Sequence, residues 1–131
     1  MNALLRCFSV FSRNGNSRNG APTNEQIRIV DAATVKAWLK DGTATIVDVR
    51  EPNEHRASRI PGAVLVPLSA FDPRRVPVET GKHLVFHCQS GRRCGPAAAK
   101  MVANGFDGII HRLNGGMNAW TAASGPVERG G

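Results

Sequence analysis

In Cys88-Gln89-Ser90-Gly91-Arg92-Arg93-Cys94, residue types and spacing could do chemistry. The stretch follows the apolar run Leu84-Val85-Phe86 and precedes Gly95-Pro96-Ala97-Ala98-Ala99-Lys100-Met101-Val102, which is rich in small residues. This order predicts a strand that delivers Cys88, a short polar loop, and a helix whose N-terminus stands behind the sulfur. A helix N-terminus presents unpaired N–H groups and partial positive charge, both of which favour a thiolate over a thiol. The thiolate is the nucleophilic form of cysteine. A cysteine serving only as a small packed hydrophobe would be followed by apolar neighbours. Here the next five residues are Gln, Ser, Gly, Arg and Arg, which suit an exposed, positively charged loop.

His87 is adjacent in sequence, but neighbours on a strand point to opposite faces, so it is not the base for Cys88. Arg92 and Arg93 offer guanidinium forks suited to oxyanions or carboxylates. Asp48 closes an earlier apolar run and, once buried, needs a partner; Arg50, Arg93 or a loop N–H are the candidates. It reads as an organiser of the loop rather than an acid catalyst. Cys94 reads as a packed small residue, with a resolving thiol for an oxidised Cys88 as the alternative.

The elements that must position these residues follow from periodicity and breakers. Strands are predicted over 27–30, 43–49, 64–68, 82–86 and 109–113. Helices are predicted over 32–40, capped by Asp31 and ended by Asp41-Gly42, and over 92–104 and 117–123. A short helix starts near Pro52, and Pro73 and Pro77 limit 69–76 to a short helical or irregular link. Strands alternating with helices predict an α/β fold with a mainly parallel five-stranded sheet. Ligands in such sheets bind outside the carboxyl ends of the strands, which is where Asp48 and Cys88 both fall. Nothing ordered is expected beyond Ser124-Gly125-Pro126.

With 131 residues, 41% of them hydrophobic and 21% charged, the chain has room for one globular domain. We read 1–25 as a flexible N-terminal extension, 26–128 as the domain and 129–131 as a tail. The formal charge is +7, of which Arg6, Arg13 and Arg18 supply three in an acid-free stretch. The remaining +4 suits small anions. Five aromatic residues in each hundred and no Tyr argue against a base-stacking surface, so no nucleic acid is expected. Cys7, Cys88 and Cys94 make neither a disulfide framework nor a zinc pattern, and point to a reducing compartment such as the cytoplasm. The alternative is the mitochondrial matrix, were residues 1–24 a transit peptide. No apolar run approaches the roughly 18 residues needed to span a bilayer.

Four ordered pieces together resemble the single-domain rhodanese homology family. Ile46-Val47-Asp48-Val49-Arg50-Glu51-Pro52 with Glu54 is similar to its first signature. Arg59-Ile60-Pro61-Gly62-Ala63 is similar to its second, with Arg59 where histidine is usual. Cys88 to Arg93 resembles its active loop, and Leu113-Asn114-Gly115-Gly116-Met117-Asn118-Ala119-Trp120 its closing motif. The resemblance implies a three-layer α/β/α domain and a thiosulfate sulfurtransferase activity. Cys88 would carry sulfur as a persulfide, with Gln89, Ser90, Gly91, Arg92 and Arg93 binding substrate and Asp48, Arg50, Glu54 and Cys94 supporting the loop. The implied partners are a small anionic sulfur donor and a thiophilic acceptor: cyanide, a thiol or a protein cysteine. No metal or organic cofactor is implied. Cys94 stands where the family generally has Ser or Thr, which leaves a redox-sensing or non-catalytic binding module as the second reading. Related cysteine phosphatases place five residues between Cys and Arg; four stand between Cys88 and Arg93, which makes phosphatase action a distant third. Similar bacterial domains are often followed by a membrane-spanning helix pair after an ending like Pro126-Val127-Glu128, so a longer parent with such a segment stays open.

Overall fold

A computed structural model of the chain describes residues 26–130. The N-terminal extension, its transit-peptide alternative, Cys7 and Gly131 lie outside the described residues. The elements run β1 (Ile27–Val30), α1 (Ala32–Asp41), β2 (Ala44–Asp48), α2 (Pro52–Ala57), β3 (Ser58–Arg59), β4 (Val64–Leu65), β5 (His83–His87), α3 (Cys94–Ala103), β6 (Ile110–Leu113), α4 (Gly116–Ala122) and β7 (Glu128–Arg129).

Five strands form one sheet in the order β1-β6-β5-β2-β4, and every pairing in it is parallel. Parallel strands need crossover connections, and the helices supply them. A parallel sheet covered on both faces needs apolar residues on both sides of its strands. In β5, Val85 belongs to one buried cluster, with Val35 of α1 and Met117 and Trp120 of α4. Its neighbours Leu84 and Phe86 belong to the other, with Ala97, Ala98 and Met101 of α3. The fold is therefore a mixed α/β domain with helices on both faces of its sheet. Being central, β5 carries Cys88 to the middle of the carboxyl edge, beside the end of β2.

Local signals explain the element ends. The Asp31 carboxylate accepts the Thr34 N–H at 2.9 Å, and Gly42 closes α1 with φ +74°. The strand expected over 64–68 is confined to Val64–Leu65, because Pro67 brings no N–H to the ladder. Backbone bonds from Val66 to Asp48 and from Leu68 to Val49 still tie that segment to β2. The link over 69–76 holds two single turns, Leu68–Ala70 and Pro73–Arg75.

The end of the chain differs from expectation. Glu128 and Arg129 pair antiparallel with Arg59 and Ser58, so ordered structure continues past Pro126 and includes Arg129, read above as tail. Trp120 causes this return: its indole N–H donates to the Pro126 carbonyl at 2.8 Å while the ring lies against Gly125. A two-residue strand has too little alternation to be legible in sequence. Among the described residues, no helix is long and apolar enough to cross a membrane.

Candidate active site

The thiol of Cys88 lies directly past the end of β5, fully buried in a ring of donors. Its Sγ accepts the backbone N–H of Gly91 at 3.1 Å and of Arg93 at 3.2 Å. The helix expected from Arg92 begins at Cys94 because the N–H of Arg93, at its N-cap, turns to the sulfur. The Cys94 thiol does most to hold Cys88 low, and the N–H groups of Arg93, Cys94 and Gly91 add to it against the opposing effect of burial. Together they bring the Cys88 thiol down to about 4. It is a thiolate at neutral pH. The Cys94 thiol is pushed far the other way, first by the neighbouring Cys88 and then by burial, so it keeps its proton, which it donates to the Gly91 carbonyl at 3.3 Å.

α4 fixes the curvature of the loop. The Met117 N–H donates to the Cys88 carbonyl at 2.8 Å and the Asn118 N–H to the Gln89 carbonyl at 3.0 Å. This approach requires glycine at 116, where φ is +55° and a Cβ would stand 2.3 Å from the Cys88 oxygen. Gly116→Ala is expected to cost about 2–4 kcal/mol in strain and displaced backbone, and to disrupt the ring of donors around the sulfur. Thermal melts paired with Cys88 alkylation rates check this; an unchanged melting temperature would contradict the packing described.

A buried ion pair supports the loop from behind. Asp48, at the end of β2, is fully buried, and Arg50 is 1% exposed. Asp48 Oδ1 accepts the Arg50 backbone N–H at 2.9 Å and its Nε at 3.0 Å, and Oδ2 accepts Nη2 at 2.8 Å. Burial pushes the Asp48 carboxyl up, but Arg50, His87 and His55 outweigh it and hold the group below the usual range. Arg50 also donates to Gln89 Oε1 at 3.0 Å and to the Ser58 carbonyl at 2.6 Å. The Gln89 amide in turn donates to Asn118 Oδ1 at 2.7 Å, so its side chain is engaged at both ends.

Arg93 pairs with Glu54, not with Asp48. Its two Nη atoms reach the two Glu54 oxygens at 2.7 and 2.9 Å. That bidentate bond is the main cause that draws the Glu54 carboxyl down to about 2. Glu54 also accepts the Glu51 N–H, locking the start of α2. Among the described residues, the side chains of Ser90 and Arg92 have neither hydrogen bond nor ion pair; both residues are exposed. His87 is buried behind the strand and bonds the Cys88 carbonyl through Nδ1 at 3.1 Å, away from the sulfur. Burial holds its pKa low.

The candidate site residues Cys88 to Cys94, with Asp48, Arg50 and Glu54, thus sit in or directly behind one loop. The sequence did not indicate His55, whose Nδ1 lies 2.9 Å from Asp48 Oδ2, nor Arg112, which reaches the Gly91 carbonyl from β6. It did not give Asn118 a role, although Asn118 lies in the closing motif. These contacts are long-range or between small elements, and no local spacing announces them.

Residues 31–123 match the family described as the Rhodanese-like domain. An uncharacterized Synechocystis protein is 39% identical over 96 residues, covering 73% of this chain and 53% of that one. The Bacillus subtilis "Putative sulfur carrier protein YrkF" is 36% identical over 108 residues, 79% of this chain and 58% of that one. The chain therefore spans between half and three fifths of the length of these two curated relatives. The solution structure of the rhodanese-like domain from an Anabaena protein superposes with a TM-score of 0.66 at 27% identity, over 76% of this chain and 77% of that one. A Staphylococcus aureus rhodanese-like domain protein gives 0.61 at 26% identity, over 71% and 90%. The chain, with its parallel sheet in this order and its cysteine at the carboxyl edge, thus belongs to the rhodanese-like domain family.

Proposed function

We propose that this chain is a sulfurtransferase that carries a sulfane sulfur on Cys88. The observation that carries the reading is the Cys88 sulfur itself, which accepts the backbone N–H groups of Gly91 and Arg93 and is drawn down to about 4. In the first half-reaction the thiolate attacks the outer sulfur of thiosulfate. The S–S bond of the donor breaks, sulfite leaves with its electron pair, and Cys88 becomes a persulfide anion. In the second, a thiolate, cyanide or a protein cysteine attacks the terminal sulfur and Cys88 leaves as the thiolate again. Both halves place negative charge on sulfur within the same loop, so donors that suit thiolate also suit persulfide. Two half-reactions sharing one covalent intermediate give ping-pong kinetics.

The loop residues divide the work. Glu54 holds the guanidinium of Arg93, and the backbone N–H of the same residue faces the sulfur. Arg92, exposed and unpaired among the described residues, is the cation that meets an anionic donor. The Gln89 side chain is committed to Arg50 and Asn118, so its contribution is to hold the loop rather than to bind substrate. Asp48, Arg50 and Glu54 keep this frame rigid. Four residues between Cys88 and Arg93 make a tighter ring than a phosphate needs, and this favours sulfur transfer over phosphatase action.

The acidity of Cys88 gives a test that needs no substrate. An ordinary thiol, with a pKa of about 8.5, alkylates roughly tenfold faster for each pH unit gained below that value. A thiol drawn down to about 4 is already ionised there. Iodoacetamide labelling of Cys88, followed by peptide mass analysis, is therefore expected to be nearly flat from about pH 5 to about pH 8. A tenfold rise per unit over that range would remove the basis of the proposal.

A further inference from the structure

Arg112 stands on β6, in register with Phe86 of β5 and Ile29 of β1, and belongs to none of the motifs discussed above. Its Nη2 donates to the Gly91 carbonyl at 3.2 Å. The guanidinium lies under the first turn of α3, in space that depends on glycine at 95, where a Cβ would stand 3.3 Å from Nη2. Its Nε is buried and has no hydrogen-bond partner, so the group holds this position at some cost. From the first residue of α3, the Cys94 thiol donates to the same carbonyl at 3.3 Å. A carbonyl oxygen has two lone pairs, so it takes both bonds at once.

Gly91 needs such holding. Its φ is +100°, and a Cβ there would stand 3.1 Å from the Gly115 nitrogen, so a larger residue would be strained. Glycine also turns more freely about its backbone bonds than any other residue, so nothing in residue 91 itself keeps this conformation. In chain order the Gly91 carbonyl lies between the two N–H groups that face the sulfur. The Gly91 N–H, before it, is 3.1 Å from Cys88 Sγ, and the Arg93 N–H, after it, is 3.2 Å away. A turn of this carbonyl toward another donor would carry one or both of those N–H groups off the sulfur.

We propose that Arg112 and Cys94 are paired positioning residues: each donates to the Gly91 carbonyl, and either one alone keeps the N–H groups of Gly91 and Arg93 on the Cys88 sulfur. Both act through the loop backbone, and neither touches the sulfur donor or acceptor. This role for the pair rests on the reading of Cys88 as the sulfur-carrying thiolate. Two donors on one acceptor make the support redundant, so the loss of either is masked by the other. The other charged or titratable groups facing the Cys88 sulfur are Arg93, held by Glu54, and His87 behind the strand, with Asp48 and Arg50 one layer further out.

The test is a mutant cycle on the full chain, read as the pH midpoint of Cys88 labelling by iodoacetamide, with peptide mass analysis to separate Cys88 from the other cysteines. Arg112→Met is made in three backgrounds: Cys94 unchanged, Cys94→Ser and Cys94→Ala. A hydrogen bond to a charged group corresponds to about one to two pKa units. With Cys94 in place the thiol still holds the carbonyl, and Arg112→Met is expected to move the midpoint by less than about half a unit. In the Cys94→Ala background the carbonyl loses its last donor, and the same substitution is expected to raise the midpoint by about one to two units. The hydroxyl brought by Cys94→Ser can donate as the thiol does, so Arg112→Met is expected to have the smaller effect there too. Arg112→Gln, which is neutral and falls short of the carbonyl, carries the same expectations and serves where a methionine variant does not fold. Equal shifts with Cys94 unchanged and with Cys94→Ala overturn the proposal, because Arg112 would then act on the sulfur by charge alone. No shift in the Cys94→Ala background also overturns it, as does a serine background that follows alanine. Sulfur loading from thiosulfate is measured separately on the unaltered chain. If loading fails while the titrations behave as expected, the transferase reading falls and this one stands.

Discussion

Cys88→Ser is expected to take up no sulfur from thiosulfate, while the unaltered chain gains the mass of one sulfur atom. Serine keeps the size and position of the side chain. Its hydroxyl stays protonated where the thiol is a thiolate, so the ring of donors has no anion to hold and the donor meets no nucleophile. Removing the nucleophile of a covalent mechanism lowers the rate by a factor on the order of 10⁴ or more. The fold should tolerate the change, because the core around Cys88 is built from Val47, Phe86, Ala97 and Met101, none of which is altered. Intact-mass measurement after exposure to thiosulfate, with a melting curve on the same sample, separates chemistry from folding. Equal sulfur addition to both proteins would place the persulfide elsewhere and end the case for Cys88.

The second large effect falls on stability. Asp48→Ala leaves the Arg50 guanidinium 1% exposed and without its carboxylate partner. Breaking a buried pair from one side costs about 3–5 kcal/mol, because the remaining charge is neither solvated nor compensated. Against a total of about 5–15 kcal/mol for a domain, that is enough to unfold much of the population. Arg50 would keep only its bonds to Gln89 and the Ser58 carbonyl. The double variant Asp48→Ala with Arg50→Met removes the stranded charge and is expected to regain part of the loss. Denaturant midpoints for the two variants decide the matter. A single variant within about 1 kcal/mol of the parent would mean that the pair does not hold the loop's support together.

Much of this architecture is legible in the sequence. The alternation of strands and helices is written in periodicity, in the Asp31 cap and in the Gly42 stop. Placement of Asp48 and Cys88 on one edge followed from strand order alone. Partner choice was not legible. Asp48 had three candidate partners, and the structure gives it Arg50, two residues away, while Arg93 goes to Glu54, 39 residues away. Only the tertiary path of α2 decides between those pairings. Arg112 was invisible for a similar reason, since a basic residue in a short strand has no periodic signature of a role. The two N–H groups bonded to the sulfur shifted the start of α3 to Cys94, where composition had placed it at Arg92. β7 escaped notice because its two residues form a strand only by virtue of where Trp120 turns the chain.

The bonds from α4 to the loop also order events in time. The carbonyls of Cys88 and Gln89 are tied to the N–H groups of Met117 and Asn118, about thirty residues further along the chain. Local contacts form first, and contacts that close long loops come later. While the chain is being synthesised, Cys88 emerges well before the helix that shapes its loop. The N–H groups that face the sulfur belong to Gly91 and Arg93, three and five residues away, whereas the carbonyls that set the curvature of their loop wait for α4. The loop around the reactive sulfur thus joins two ranges of contact: donors supplied by its own residues, and a curvature that is complete only when a helix about thirty residues later is in place.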